Sequence, residues 1–123
     1  MKPKNTETGK WGEKIAAKYL AEKGYRILHR NWRAERGDID LVCLDDSCLV
    51  FVEVKTGFSL KYGPPELRIT ASKKRQLMKL AEIYLQQNEN NEPGFTETRF
   101  DVIVIDGNKE DCQIRHYINA IYS

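Results

Sequence analysis

The sequence predicts a mixed α/β sandwich of three layers, a central sheet flanked by helices in the order α-β-β-β-α-β-β. Two stretches carry apolar residues at helical spacing, and the rest of the apolar sequence falls in short runs rich in β-branched and aromatic residues. Strands two, three and four are apolar at nearly every position, as expected of a sheet covered on both faces. A helix separates the third strand from the fourth, which predicts a parallel pair joined by a right-handed crossover.

The first helix is predicted over residues 8–23, where Trp11, Ile15, Ala16, Tyr19 and Leu20 recur at three and four and Gly24 supplies the C-terminal stop. Residues 25–32 read as a strand with Tyr25, Ile27 and His29 on one side, followed by a polar turn over 33–37. Residues 57–65 hold two glycines and two prolines and read as loop. A second helix is predicted over 71–87, with Leu77, Leu80, Ala81 and Tyr84 as its apolar stripe. A turn-forming stretch over 88–94 leads to a fourth strand over 99–106 and a fifth over 113–118.

The most informative segment is the hairpin between the predicted helices. Gly37-Asp38-Ile39-Asp40-Leu41-Val42-Cys43-Leu44 and Cys48-Leu49-Val50-Phe51-Val52-Glu53-Val54-Lys55 flank the short polar break Asp45-Asp46-Ser47. A two-residue turn at Asp46-Ser47 pairs Asp45 with Cys48, Val42 with Phe51 and Asp40 with Glu53. Side chains alternate along a strand, so Lys55 shares the Glu53 face. Opposed like charges destabilise a sheet, and buried carboxylates are costly unless paired or bound to a cation. Two readings satisfy this: a divalent-metal site on Asp40 and Glu53, or a structural salt bridge between Lys55 and Glu53. Glu13 lies about 20° around the axis from Leu20, at the border of the first helix's apolar face.

Composition bounds the alternatives. The 123 residues, 41% hydrophobic and 31% charged, fit one globular domain spanning 1–123. No apolar run approaches the roughly 20 residues of a membrane span, and the N-terminal residues lack the apolar core of a signal peptide, so a cytoplasmic protein with no membrane association is expected. Cys43, Cys48 and Cys112 show no Cys-x-x-Cys spacing, against both a disulfide framework and a zinc site. The net charge of +2 decides nothing by itself. The cluster Lys73-Lys74-Arg75, the helically spaced Lys10, Lys14 and Lys18, and Arg30, Arg33 and Arg36 are candidate phosphate contacts, or simply solvated faces. No Gly-x-Ser-x-Gly elbow, His-Glu-x-x-His or Gly-x-x-x-x-Gly-Lys loop is present.

Gly9-Lys10-Trp11-Gly12-Glu13, Asn31-Trp32-Arg33, Gly37-Asp38-Ile39-Asp40-Leu41, Phe51-Val52-Glu53-Val54-Lys55-Thr56 and Arg99-Phe100-Asp101-Val102 occur in order along nearly the whole chain. Together they resemble the YraN family of small bacterial proteins. That family is similar to the PD-(D/E)XK nucleases of restriction-endonuclease-like fold, which include Holliday-junction resolvases and tRNA-splicing endonucleases. The resemblance implies an aspartate on one core strand and Glu-x-Lys on the next, here Asp40, Glu53 and Lys55 as catalytic residues. It also implies Mg²⁺ or Mn²⁺ held by Asp40, Glu53, the Val54 carbonyl and Glu13. The implied activity is endonucleolytic cleavage of nucleic acid, DNA rather than RNA and structured or branched in form; of the basic clusters noted above, Arg33, Lys73, Lys74 and Arg75 are the expected contacts to its phosphates. A homodimer follows from junction-cutting relatives by analogy alone. Relatives often carry arginine after the Lys-Thr pair, where this chain has Gly57, which leaves Lys61 or Arg68 to make that phosphate contact. A nucleic-acid-binding module without turnover and a protein-interaction subunit remain the alternatives.

Overall fold

Two sets of apolar side chains, one on each face of a single sheet, organise the chain. A computed structural model describes residues 7–56, 69–88, 94–107 and 110–121. Its elements are α1 (Glu7–Glu22), β1 (Arg26–Ala34), β2 (Gly37–Asp45), β3 (Cys48–Thr56), α2 (Ala71–Asn88), β4 (Glu97–Gly107) and β5 (Cys112–Tyr117). The strands lie in the order β1-β2-β3-β4-β5, parallel between β3 and β4 and antiparallel elsewhere. The expected three-layer α/β sandwich is therefore observed, in the expected element order. The predicted loop over 57–65, which contains Lys61, lies outside the described residues, as do Arg68 and residues 89–93 of the predicted turn.

One face packs on α1. Ala16, Ala17 and Leu20 are buried against Leu41, Cys43, Val50, Val52, Val54, Ile103 and Ile105. Small residues at 16 and 17 let the helix backbone approach the sheet. The helix ends where Tyr25 N–H donates to the Leu20 carbonyl at 3.0 Å and Gly24 N–H to Ala21 at 3.0 Å, with Gly24 at φ 96°. That is the paired 6→1 and 5→2 closure in which a glycine accepts the left-handed conformation. Burial in this layer pushes the Cys43 thiol up to about 12, so it is a small hydrophobe rather than a nucleophile.

The other face packs on α2 through Leu77, Leu80, Ala81 and Tyr84. Tyr84 is fully buried and meets the rings of His29, Trp32 and Phe51 edge-on, at 5.3, 5.2 and 5.6 Å between centroids. Thr70 caps this helix, its Oγ1 accepting from Lys73 N–H at 3.1 Å. The contact with His29 departs from simple alternation. A bulge between Ile27 and His29 reverses the phase of β1, so Ile27 faces α1 while His29 faces α2. The strand also runs on to Ala34, which shortens the turn expected over 33–37 to Glu35 and Arg36.

Asp101 on β4 is completely buried and ties several elements together. Arg99 donates to it from Nε at 2.9 Å and Nη2 at 3.2 Å, His116 Nε2 lies at 2.7 Å, and Asn119 N–H donates at 2.9 Å. Arg99 continues to the Tyr25 hydroxyl at 2.8 Å and Asp45 at 3.2 Å, while His116 Nδ1 lies 3.3 Å from the Tyr19 hydroxyl. The network thus joins α1, β2, β4 and β5. Burial alone raises the Asp101 carboxyl, but the hydrogen bonds from His116, Arg99 and the Asn119 backbone outweigh it and hold it below its ordinary value. A depressed native pKa gives stabilisation that is full above the unfolded value of about 3.9 and lost as pH falls through the native value. Asp101→Asn is therefore expected to cost about 3 kcal/mol near neutral pH by stranding Arg99. Urea midpoints measured from neutral to strongly acidic pH should show the gap to wild type closing only below about pH 4.

Candidate active site at a fork in the sheet

The expected hairpin register is observed from Asp45↔Cys48 through Leu44↔Leu49 and Val42↔Phe51 to Leu41↔Val52. There the two strands part. On either side of the gap pairing continues, β2 with β1 as far as Ala34↔Gly37 and β3 with β4 as far as Thr56↔Ile105. A continued ladder would offer Val54 N–H the carbonyl of Ile39. It donates instead to Asp40 Oδ2, at 2.7 Å. Asp40 and Glu53, expected to face each other as a strand pair, therefore lie one step beyond the ladder, at the mouth of a fork. The N–H and C=O of one strand residue point to the same side, so the Val54 carbonyl also opens into this fork.

A change of phase in β1 and β2 aims Asp40 there. His29↔Val42 and Trp32↔Ile39 are both paired positions whose side chains belong to the α2 layer, whereas Leu41 between them belongs to the α1 layer. Strict alternation cannot put both Ile39 and Val42 on one face. The step is taken at Asn31 and Asp40, which the ladder skips, and Asn31 sits at φ 50° in the left-handed region. Asparagine tolerates that conformation better than other residues with a Cβ, glycine excepted.

Glu53 is 5% exposed and Asp40 is fully buried. Lys73 reaches from the first turn of α2 to within 3.9 Å of Glu53 Oε2. Asp40 is thus held through Oδ2 and Glu53 through Oε2, while Asp40 Oδ1 and Glu53 Oε1 accept no hydrogen bond. Lys55 is half-buried and by alternation lies on the Glu53 side of β3. On the opposite face Gly12 packs so closely on Thr56 that an added Cβ would run into the threonine methyl. This contact seats half-buried Glu13, the next residue of α1, near the end of β3. Among the described residues no three His, Cys, Asp or Glu side chains gather at metal-ligand range, so Glu13 does not join Asp40 and Glu53 in such a group.

The basic candidates separate. Lys73 belongs to Glu53, exposed Arg75 lines a groove beside α2, half-buried Lys74 points elsewhere around the helix, and Arg33 is exposed opposite Asp38 on β1. Consecutive helical residues diverge by about 100°, so a run of three cations cannot form one patch. Sequence reasoning missed the Lys73–Glu53 pair, the role of Asn31 and the Asp101 network. An acid within the apolar run Phe100-Asp101-Val102-Ile103 was the available signal for the last.

If Asn31 sets the phase, Asn31→Gly should change stability little. Asn31→Val should lose about 1–2 kcal/mol, the cost of a left-handed β-branched residue. Paired chemical denaturation curves distinguish these outcomes, and equal loss in both variants would assign the effect to the side-chain amide.

Comparison with known proteins agrees with the order of motifs. Residues 12–105 match the family described as "Uncharacterised protein family UPF0102". A UPF0102 protein of Syntrophomonas wolfei is 45% identical over 116 residues, covering 94% of this chain and 98% of its own length. One of Pelobacter propionicus is 43% identical over 124 residues, covering 97% of this chain and 85% of its own. The solved structure of Pyrococcus furiosus SfsA in complex with Ca²⁺ aligns with 90% of this chain at 16% identity and a TM-score of 0.39, and the chain spans 62% of that protein. No helix among the described residues is long and apolar enough to cross a membrane. With identities of 43% and 45% along nearly the full length and a family match over residues 12–105, the chain belongs to the family UPF0102, the YraN family.

Proposed function

We propose that the chain is a metal-dependent phosphodiesterase, an endonuclease of the cytoplasm acting on nucleic acid, with structured or branched DNA as its substrate class. The observation that supports it best is the 2.7 Å hydrogen bond from Val54 N–H to Asp40 Oδ2, which joins the first acid to the middle of the Glu53-Val54-Lys55 triplet. The donor set fits a hard cation. Two buried carboxylates and a peptide carbonyl are the oxygen ligands that Mg²⁺ or Mn²⁺ takes while keeping positions for water and phosphate oxygen. Asp40, Glu53 and the Val54 carbonyl would hold the ion, with Glu13 contributing through water.

A bound ion supplies Lewis-acid polarisation of a phosphate oxygen and a more acidic water. The chain's own residues do the rest. Asp40 is held toward the fork by the Val54 amide. Lys55 is a protonated amine with no acceptor lone pair, so it orients the attacking water or balances charge growing on the phosphate. A second reading, a nucleic-acid-binding module without turnover, is favoured by one finding: no third acid of the described residues gathers with Asp40 and Glu53.

Calorimetric titration of Mn²⁺ should give binding to wild type that weakens at least about tenfold in Asp40→Asn and in Glu53→Gln, as loss of a ligand would produce. Equal binding by all three proteins would remove the metal site. A panel of duplex, flapped and branched DNA and RNA with Mg²⁺ or Mn²⁺ then separates enzyme from binding module. Lys55→Ala should keep metal and nucleic-acid affinity yet slow single-turnover cleavage by about 10²–10³-fold. A Lys55→Ala protein with a lowered thermal midpoint but full activity would return this lysine to a structural salt bridge.

A further inference from the structure

Away from the fork, α2 and the β1–β2 turn enclose an open groove of about 680 Å³, lined by Arg36, Ser72, Arg75, Gln76 and Lys79. Its floor is built. Gln76 Nε2 donates to the Arg36 carbonyl at 2.6 Å, which staples the turn to the helix. Gly37, at φ 142°, leaves room for that amide: a Cβ there would lie 2.7 Å from Gln76 Nε2. The positions 72, 75, 76 and 79 fall at intervals of three and four, a single face of the helix. Exposed Arg36 and Arg75 thus stand on opposite walls, with Lys79 following Arg75 one turn later. Lys79 also lies 3.8 Å from Glu82, but that pair is exposed on both sides and holds the ammonium weakly.

We infer that this groove is a second binding site, one that grips the sugar-phosphate backbone of the nucleic acid flanking the fork. The inference rests on the nucleic-acid reading proposed above and names where the grip lies. Three cations together with the hydroxyl of Ser72 and the amide of Gln76 are phosphate-binding chemistry rather than base readout. From Ser72 to Lys79 the helix rises about 10 Å, enough to follow two or three successive phosphates of one strand. Both walls of the groove lead back toward the fork. Gly37 lies three residues, or about 10 Å, before Asp40 on β2, and Gln76 lies one turn after Lys73 on α2. The positive end of the α2 dipole adds to the attraction at Ser72. By contrast, Lys10, Lys14 and Lys18 belong to α1, the helix on the other face of the sheet.

The test is fluorescence anisotropy with a labelled DNA duplex of about two helical turns, titrated over a series of salt concentrations in chelator, so that no divalent ion takes part. Wild type should bind with a salt slope that Arg36→Ala and Lys79→Ala each lower by roughly one unit, and the double variant by roughly two. Lys14→Ala/Lys18→Ala should leave the slope unchanged. Both groove positions are exposed, and equal thermal midpoints confirm intact folds. Salt-dependent binding by wild type with an unaltered slope in the groove variants overturns the groove and leaves the nucleic-acid reading standing. The same holds if the slope falls in the α1 variant instead. No binding by wild type overturns both.

Discussion

One hydrogen bond, from Val54 N–H to the Asp40 carboxylate, sets the geometry on which the rest of the site depends. Where β2 and β3 part, a strand amide loses its carbonyl partner, and a buried amide without one is costly. A carboxylate fills the place. The bond takes the place of a ladder bond, and it sets a carboxyl group where no solvent reaches. The fork and the buried acid consequently stabilise each other. Closing the fork would take the Val54 amide from the Asp40 carboxyl group, and removing that group would leave the amide stranded. The continued pairing of β1 with β2 and of β3 with β4 builds the two walls of the gap into the sheet.

The same sheet carries a second set of buried ionisable groups, and the contrast defines what the fork is suited to. Asp101 is surrounded by donors from Arg99, His116 and Asn119, and Arg99 in turn is shared with Tyr25 and Asp45. Every strong partner there is provided by the chain, and the result is a clamp between strands and helix. At the fork two buried carboxyl groups stand together, with the Val54 amide on Asp40 and a lysine from α2 beside Glu53 among their partners. Two buried carboxylates near one another carry a like-charge penalty that a clamp of this kind would avoid. On the function proposed, such an arrangement would trade stability for affinity toward a cation.

Much of this was legible in the sequence because the hairpin is local. Counting outward from Asp46-Ser47 gives each pair down to Leu41↔Val52, since turn length fixes register and apolar residues mark both faces. Counting fails at Asp40 because it assumes an unbroken period of two, and Asn31 breaks it from a neighbouring strand through its backbone conformation. The helix apolar stripes were readable for the same local reason. The Asp101 clamp was not: Arg99 and Asp101 share β4, but Tyr19, Tyr25, Asp45 and His116 come from other segments with no common spacing. Likewise, Lys73-Lys74-Arg75 looks like one basic patch in a linear sequence, and only the helix shows that its members face different partners.

Lys73 is where those partners meet. It stands between the fork and the groove, one turn before Gln76, and is about a quarter exposed while its ammonium lies 3.9 Å from Glu53. A single positive charge at that distance offsets part of the carboxylate repulsion, in the manner of a weak counter-ion. On the reading proposed here, a divalent ion at Asp40 and Glu53 would carry twice that charge at closer range, and the attraction holding Lys73 to Glu53 would turn into repulsion from the ion. A long, flexible lysine displaced in this way has solvent and the cationic groove beside it, and would settle there only with phosphate to neutralise the crowding. Metal and nucleic acid would then favour each other's binding through one side chain, without any rearrangement of the sheet. An arginine could not serve as well, because its planar fork would bind the Glu53 carboxylate in two places and resist release.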